Sequence, residues 1–258
     1  MKNNLTKDTL ALMKISGLSG YEGRVRDYIG AELNSFGFQP RTDRVGNLHL
    51  VIPGKGQRVM LFTHIDQLGL IVRKIDNNGY LRFERLGGIP EKSLPGQSVV
   101  VSTKDGKDHE GVIGIKSHHS TWPEEKYKVL PYRDLYVDLG YSTKDEVRSL
   151  GVNIGSPIAY KPSADIIGKN RICGTSVDDR AGCAVLLEVA RQIHNHTDGS
   201  EIHIVFTVQE EFNLRGALPA AQQINPDIAI QIDLMLASDT PDMMGFGEVA
   251  LGKGPGLS

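Results

Sequence analysis

The middle of this chain has a different residue pattern from its two ends. Between about residues 69 and 160, apolar residues hardly ever recur at helical spacing, and short β-type runs are separated by turn signals such as Asn78-Gly79. Before and after this stretch, amphipathic helical patterns alternate with almost continuous apolar runs. The sequence therefore predicts an α/β domain, with a sheet covered on both faces, into which a small all-β domain resembling a barrel or a sandwich is inserted.

Periodicity and turn residues also place the individual elements. Apolar spacing and a cap at Thr6 predict a short first helix that begins at that residue. The same signals predict four further helices over 25–37, 143–151, 179–194 and 214–224. Apolar runs predict strands over 48–52, 58–66, 202–208 and 227–233.

Composition excludes several classes of protein. The chain has 258 residues and a formal charge of -2, so it lacks the basic surface that nucleic acids or acidic membranes require. It has no apolar run long enough to span a bilayer, and its first residues, MKNNLTKDTL, do not resemble a signal peptide. Two cysteines, Cys173 and Cys183, are too few for a disulfide framework. We expect a cytoplasmic protein that binds neither nucleic acid nor membrane.

Histidine and acidic residues follow the predicted strands. They are His64, Asp66, Asp178, Asp179, Glu210, Glu211 and Asp233. Each alone has an ordinary explanation, such as a helix cap or a solvated surface acid. Together, at the carboxyl ends of strands, so many acids would repel one another unless a divalent cation lay between them. Imidazole and carboxylate ligands suit zinc, cobalt or manganese, so the sequence predicts a metal site.

The adjacent acids Glu210 and Glu211 indicate how that site could work. Successive side chains of a strand point to opposite sides, so one glutamate could bind a metal ion while its neighbour faces the reacting water. A free carboxylate in that position can accept a proton from the water.

Several segments of the chain resemble one family, the tetrahedral or glutamyl aminopeptidases, which are di-metal metallopeptidases that include FrvX-like proteins. The segments are GLSGYEG (17–23), THIDQLGLIV (63–72), VIGIKSHH (112–119), TSVDDRAGCAVLLE (175–188), VFTVQEEFNLRGA (205–217) and QIDLMLASDTPD (231–242). The resemblance implies a catalytic domain over 1–66 and 163–258 and an inserted β-domain over 67–162. It further implies that the inserted domain mediates assembly of a homo-oligomer, with a dodecamer as the expected form.

The resemblance also implies a role for each residue of the site. His64 and Asp233 would bind one metal ion, Asp178 would bridge two ions, and Glu211 would bind the second. Glu210 would be the general base, and Asp66 would orient His64. The peptide bond between Asp178 and Asp179 is expected to be cis. Two divalent metal ions per subunit, zinc or cobalt, and peptide substrates follow as expectations.

This sequence departs from the family pattern at a few positions. Gln67 stands where a glutamate is usual, and Asn213 stands where a glycine is common. Family members continue beyond the segment LGKGPGLS, so a fragment, a shortened reading frame or an unrepresented tail would each explain the end of the chain. No histidine follows His203, so the second metal site is expected to lack its C-terminal histidine ligand.

The other histidines are not expected to replace that ligand. His118 and His119 are interpreted as loop residues of the inserted domain, and His194 and His196 are placed at the far end of the 179–194 helix.

The sequence thus favours a metal-dependent aminopeptidase and leaves two alternatives open. One is a related metal-dependent deacylase, since the same ligands serve both reactions. The other is an inactive family member that acts as a binding or assembly subunit. An endoglucanase is disfavoured, because glycosidases use paired carboxylates and have no need of this histidine-containing set.

Overall fold

The computed structural model describes residues 2–193 and 199–257. Its first unit is a five-stranded mixed sheet with the strand order β1-β2-β12-β3-β13. These strands are β1 (Arg41–Thr42), β2 (Leu48–Ile52), β3 (Arg58–His64), β12 (Glu201–Thr207) and β13 (Ile228–Gln231). Strands β3, β12 and β13 are parallel, whereas β2 is antiparallel to β12. The carboxyl ends of three neighbouring strands therefore meet at one edge of the sheet.

Helices cover the two faces of this sheet unequally. They are α1 (Lys2–Met13), α2 (Gly23–Ser35), α4 (Val177–Ile193) and α5 (Ala217–Ile224). The larger core joins buried residues of α1, α2 and α4 to the sheet. The smaller core joins Met60 and Val205 to Ala220 and Ile224 of α5. All four residues of β13 are exposed, so the prediction that both faces are covered holds for the central strands and fails for β13.

The predicted all-β unit is a closed barrel with the strand order β4-β5-β8-β7-β6-β9. Its strands are β4 (Gly69–Ile75), β5 (Leu81–Leu86), β6 (Ser98–Ser102), β7 (Asp108–Gly114), β8 (Tyr136–Asp138) and β9 (Pro157–Tyr160). The Asn78-Gly79 signal lies in the turn between β4 and β5, where Gly79 has a φ of +82° that suits glycine. The barrel encloses its own core of buried residues, separate from those of the sheet.

The short helix α3 (Lys144–Ser149) lies near the end of the barrel, as predicted. The Thr143 side chain accepts a hydrogen bond from the Glu146 amide, and the Glu146 side chain accepts one from the Thr143 amide. This reciprocal pair is a capping box, which explains why so short a helix begins at this residue.

Some local predictions were wrong. Thr6 does not begin a helix but lies inside α1. The hairpin of β10 (Ala164–Ile167) and β11 (Arg171–Gly174) was not predicted, and neither was the two-residue β1. His194 and His196 lie outside the described residues. The domain boundaries at 66/67 and 162/163 stay a prediction, with barrel strands running from Gly69 to Tyr160.

Among the described residues, none of the helices is both long enough and apolar enough to cross a membrane.

Candidate active site

The predicted site residues converge at the carboxyl edge of the sheet. His64 is the last residue of β3, and Asp66 follows two residues later. Glu210 and Glu211 come just after β12, and Asp233 lies two residues beyond β13. The structure thus brings together residues from segments that are more than 160 positions apart in the sequence.

Three of these residues form a group with the composition of a metal site. One ligand atom each from His64, Asp178 and Asp233 lie within 4.8 Å of one another. His64 Nε2 is 3.1 Å from Asp178 Oδ1 and 4.0 Å from Asp233 Oδ1. The imidazole is only 2% exposed, whereas 58% of the Asp178 side chain is open to the cleft. An ion could therefore reach a buried nitrogen from the solvent side.

The second ring nitrogen of His64 faces Asp66. His64 Nδ1 lies 3.1 Å from the backbone oxygen of Asp66 and 3.4 Å from its Oδ1 atom. A proton on Nδ1 would donate to these oxygens and leave the Nε2 lone pair free for a ligand bond. This geometry agrees with the orienting role that the resemblance implies for Asp66.

Glu210 and Glu211 lie in a turn rather than on the strand. Strand β12 ends at Thr207, and Gln209 has a φ of +55°, so the alternation of a strand cannot be what separates the two side chains. That part of the sequence argument was wrong. Glu210 Oε2 is 4.0 Å from His64 Nε2, and Glu211 lines the same cleft as Asp178. Both glutamates are therefore beside the His64 group.

Burial and mutual repulsion disturb the titration of these groups. Burial raises the pKa of Glu210, and burial together with repulsion from neighbouring acids raises the pKa of Glu211 to about 7. Burial by itself lowers the pKa of His64, but hydrogen bonds to Asp178 and Asp66 outweigh it and raise that pKa to about 11. Crowded acids around one imidazole fit a divalent cation, which would attract the carboxylates and relieve their repulsion.

The Asp178–Asp179 peptide bond is cis, as the resemblance implies. Asp178 faces the cleft, whereas Asp179 is fully buried. Thr63 Oγ1 donates a hydrogen bond to the Asp179 carboxylate, and the Gly182 amide donates another at 2.9 Å. Burial raises the pKa of Asp179 to about 7. The two adjacent aspartates therefore have different surroundings, and only Asp178 belongs to the predicted ligand group.

Arg180 was missed by the sequence analysis. Its guanidinium is fully buried and donates hydrogen bonds to the backbone oxygen of Ile65 and to Gln67 Oε1, the latter at 3.3 Å. The Gly17 amide also donates to Gln67 Oε1, at 3.2 Å. Gln67 therefore ties the GLSGYEG segment to the strand that carries His64. A lone arginine in the first turn of an amphipathic helix carries no signal for such burial in one sequence.

The other sequence departures also have structural explanations. Asn213 has a φ of +70°, a left-handed conformation that asparagine adopts more readily than most residues, which explains why it can replace glycine. His118 and His119 form an exposed 3₁₀ turn next to the barrel strand β7 and are not part of the His64 group.

A cleft of about 540 Å³ lies next to the ligand group. One wall comes from the barrel and its connections: Ile89, Pro90, Ser93, Gln97 and Tyr160. The opposite wall includes Asp178, Glu211 and Leu234. The cleft is large enough for one or two residues of an extended peptide, and its acids border one side.

Comparison with known proteins assigns the family. A sequence model of the M42 glutamyl aminopeptidases matches residues 46–258. This protein belongs to the M42 family. Membership is consistent with the ligand group and with the barrel inserted after β3.

Three named relatives match 95–100% of the chain. It is 33% identical to SgcX of Escherichia coli over all of its own length and 70% of SgcX. It is 31% identical to the lysyl aminopeptidase of Pyrococcus furiosus over 95% of its length, and 31% identical to the glutamyl aminopeptidase of Lactococcus lactis over 96%. In each comparison the chain spans 70% of the relative's length.

Solved structures share the fold. An aminopeptidase from Desulfurococcus kamchatkensis superposes with a TM-score of 0.86 at 33% identity, covering 93% of this chain and 65% of the other. The TET1 peptidase of Pyrococcus horikoshii gives a TM-score of 0.81 at 32% identity, covering 90% and 68%. The mixed sheet with an inserted barrel is therefore the architecture of these peptidases, as predicted.

Proposed function

We propose that this chain acts as a metal-dependent aminopeptidase, which removes N-terminal residues from peptides. The observation that carries the proposal is the convergence of His64, Asp178 and Asp233 within 4.8 Å of one another, with Glu210 at its side. A divalent cation held by these three residues would polarise a peptide carbonyl and lower the pKa of a neighbouring water.

Glu210 is the proton carrier in this proposal. Its carboxylate lies 4.0 Å from His64 Nε2 and is 24% exposed, so water and a substrate can both reach it. Burial raises its pKa, which brings it closer to neutral pH and makes it a better proton acceptor. Glu210 would accept the proton of the attacking water and then donate it to the leaving amine.

The acids of the cleft also suit the free amino end of a peptide. Asp178 and Glu211 line the same cleft, so an amino end that enters it would lie close to the metal ions and to these acids. Binding the α-amino group there would place the first peptide bond near Glu210. This arrangement favours removal of single N-terminal residues over cleavage inside a chain.

The second metal ion and the assembly are further parts of the proposal. Glu211 would bind the second ion, zinc or cobalt, together with the bridging Asp178. Homo-oligomerisation is supported by the related TET1 peptidase of Pyrococcus horikoshii, which can assemble into a tetrahedron or a large octahedral shell, and the barrel would form the interface. We expect light scattering to show a large homo-oligomer; a monomer at all concentrations would contradict this part. The cytoplasmic location stays a prediction.

The substitution Glu210→Gln tests the proposed function. We expect metal-loaded protein to release single N-terminal residues from short peptides. Glu210→Gln should lower kcat by about 100-fold or more, because removal of a general base typically costs that much. The fold and the metal content, checked by circular dichroism and elemental analysis, should be unchanged.

Other outcomes would identify the alternatives. Turnover of N-acylated substrates but not of peptides with a free amino end would indicate a deacylase. No turnover by metal-loaded wild-type protein on either substrate class would indicate a binding or assembly subunit.

A further inference from the structure

The turn that bears Glu210 and Glu211 has four consecutive backbone amides, at residues 208–211. Each donates a hydrogen bond to a buried side chain from one of three other segments. The bonds are Val208 N to Asn47 Oδ1 at 2.9 Å, Gln209 N to Glu22 Oε1 at 3.1 Å, Glu210 N to Asp66 Oδ1 at 2.9 Å and Glu211 N to Asp66 Oδ2 at 3.1 Å. Asn47 and Asp66 are fully buried, and Glu22 is 5% exposed. The path of the backbone through this turn is therefore set by side chains outside it.

The turn needs such partners because the strand has ended. Strand β12 pairs with its neighbours only as far as Thr207, so the amides that follow lose their sheet acceptors. A buried amide without an acceptor is destabilising, and each of the four has one. Gln209 also has a φ of +55°, which residues other than glycine and asparagine rarely adopt. External contacts, rather than the preference of Gln209, hold this conformation.

Glu22, which is only 5% exposed, is attracted by the charge of the buried Arg180 guanidinium. It precedes helix α2, but its side chain does not cap that helix. Instead its Oε1 atom accepts hydrogen bonds from the Gly20 amide at 2.7 Å and from the Gln209 amide at 3.1 Å. One carboxylate oxygen thus joins the GLSGYEG segment to the turn that bears the glutamates.

We infer that Glu22 is a positioning residue, which fixes the backbone at Gln209 and thereby directs Glu210 and Glu211 into the cleft. Asn47 contributes to the same turn, but its amide group also bonds to Asp43 and Gly216, so its removal would disturb a second loop. Glu22 is therefore the cleaner residue to test. The consequence for catalysis rests on the proposed function, whereas the positioning itself does not.

Amide hydrogen exchange tests the positioning without any need for activity or metal. In Glu22→Ala, we expect the amides of residues 209–211 to exchange at least about ten-fold faster than in wild type, because a buried hydrogen bond is lost. Glu22→Gln keeps an oxygen acceptor, so the exchange rates of the same amides should stay within about two-fold of wild type. Asp27→Ala, which removes an exposed acid from helix α2 just after Glu22, is the matched control and should not change the exchange.

Steady-state kinetics tests the consequence. On a peptide substrate, Glu22→Ala should lower kcat about ten-fold with little change in KM, because Glu22 acts on the geometry of the reacting groups rather than on substrate affinity. Glu22→Gln should restore most of the rate. If Glu22→Ala does not fold, Glu22→Met replaces it, since methionine has a similar volume and no oxygen acceptor.

The outcomes separate the two claims. Unchanged amide protection in Glu22→Ala would overturn the inference, and so would lost protection with an unchanged kcat. A Glu22→Gln variant as slow as Glu22→Ala would show that charge, not the hydrogen bond, matters, and would also overturn it. A wild-type protein without turnover, whose protection pattern still responds as expected, would refute the proposed function and leave the positioning standing.

Discussion

The two ring nitrogens of His64 face different partners in the proposed metal site. Its Nε2 atom faces Asp178 and Asp233, while its Nδ1 atom faces Asp66. Since Asp66 also accepts the amides of Glu210 and Glu211, one buried carboxylate orients both the imidazole and the glutamate turn. The proposed metal ligand and the proposed general base are therefore positioned by the same residue.

Metal binding should release a proton. In the absence of an ion, hydrogen bonds to Asp178 and Asp66 outweigh burial and raise the pKa of His64 to about 11, so the ring is protonated at neutral pH. A ligating imidazole must be neutral, so this proton has to leave. We expect about one proton per ion near pH 8, and an apparent affinity that rises about ten-fold per pH unit in that range.

Calorimetry in two buffers with different ionisation enthalpies would measure this release directly. Identical binding enthalpies in the two buffers would contradict the prediction. A His64→Gln variant should bind metal weakly and should release few protons on binding.

At the scale of elements, the hairpin between β1 and β2 supports the glutamate turn. Asp43 Oδ1 accepts hydrogen bonds from the amides of Val45, Gly46 and Asn47 at 2.8–2.9 Å. The side chain of Asn47 then reaches Val208 at one end of the turn and Gly216 at the other. A turn of the sheet edge thus holds both ends of the segment that carries the two glutamates.

The contribution of Asp43 should disappear in acid. Burial raises its pKa, but hydrogen bonds from His49, Asn47 and Gly46 outweigh burial and hold the pKa below its ordinary value of 3.8. Because the folded pKa is depressed, the stabilisation is present above pH 4 and is lost as the pH falls through the folded value. Asp43→Ala should therefore lower the free energy of unfolding by about 1–3 kcal/mol at pH 7 and by less at pH 3.

Urea unfolding at pH 7, 5 and 3 would check this prediction. Asp165→Ala, which removes an exposed aspartate from the β10–β11 hairpin, serves as a comparison. If the loss in free energy of unfolding caused by Asp43→Ala were the same at all three pH values, the prediction would be wrong.

Sequence patterns predicted the elements that bury an apolar face. Helices α2 and α4 and the barrel hairpin at Gly79 were predicted because their signals are local: spacing, caps and a turn dipeptide. The acids after the strands predicted that His64, Asp178, Asp233 and Glu210 would gather at the carboxyl edge of the sheet, and the structure brings them together there. The turn itself was not predicted, since the left-handed Gln209 and the acceptors Glu22 and Asn47 depend on contacts between segments distant in sequence.

At the scale of the whole molecule, strand β13 lies at an edge of the sheet that the described residues form. Strand β13 pairs with β3, and its outer side has no strand partner among residues 2–193 and 199–257. Ile228 is 42% exposed and Ile230 is 45% exposed. Apolar side chains on an unpaired edge strand favour association with another chain.

Association through this edge should depend on Ile230. We expect sedimentation velocity to show aggregates that grow with concentration, and Ile230→Lys to reduce them, because a charge on an edge strand opposes strand pairing. Val185→Lys is the control, since Val185 is 38% exposed on α4, away from the edge. Equal association of the two variants would show that another surface is responsible.

The hydrogen bonds that Asn47, Glu22 and Asp66 accept from residues 208–211 all come from backbone amides. Every residue except proline offers the same amide, so the restraint at positions 210 and 211 does not require a glutamate side chain. Protein engineers could exchange Glu211 for histidine or aspartate and still expect the chain to follow the same course. New reactive side chains could then be introduced at these positions without changing the residues that hold the backbone of the turn.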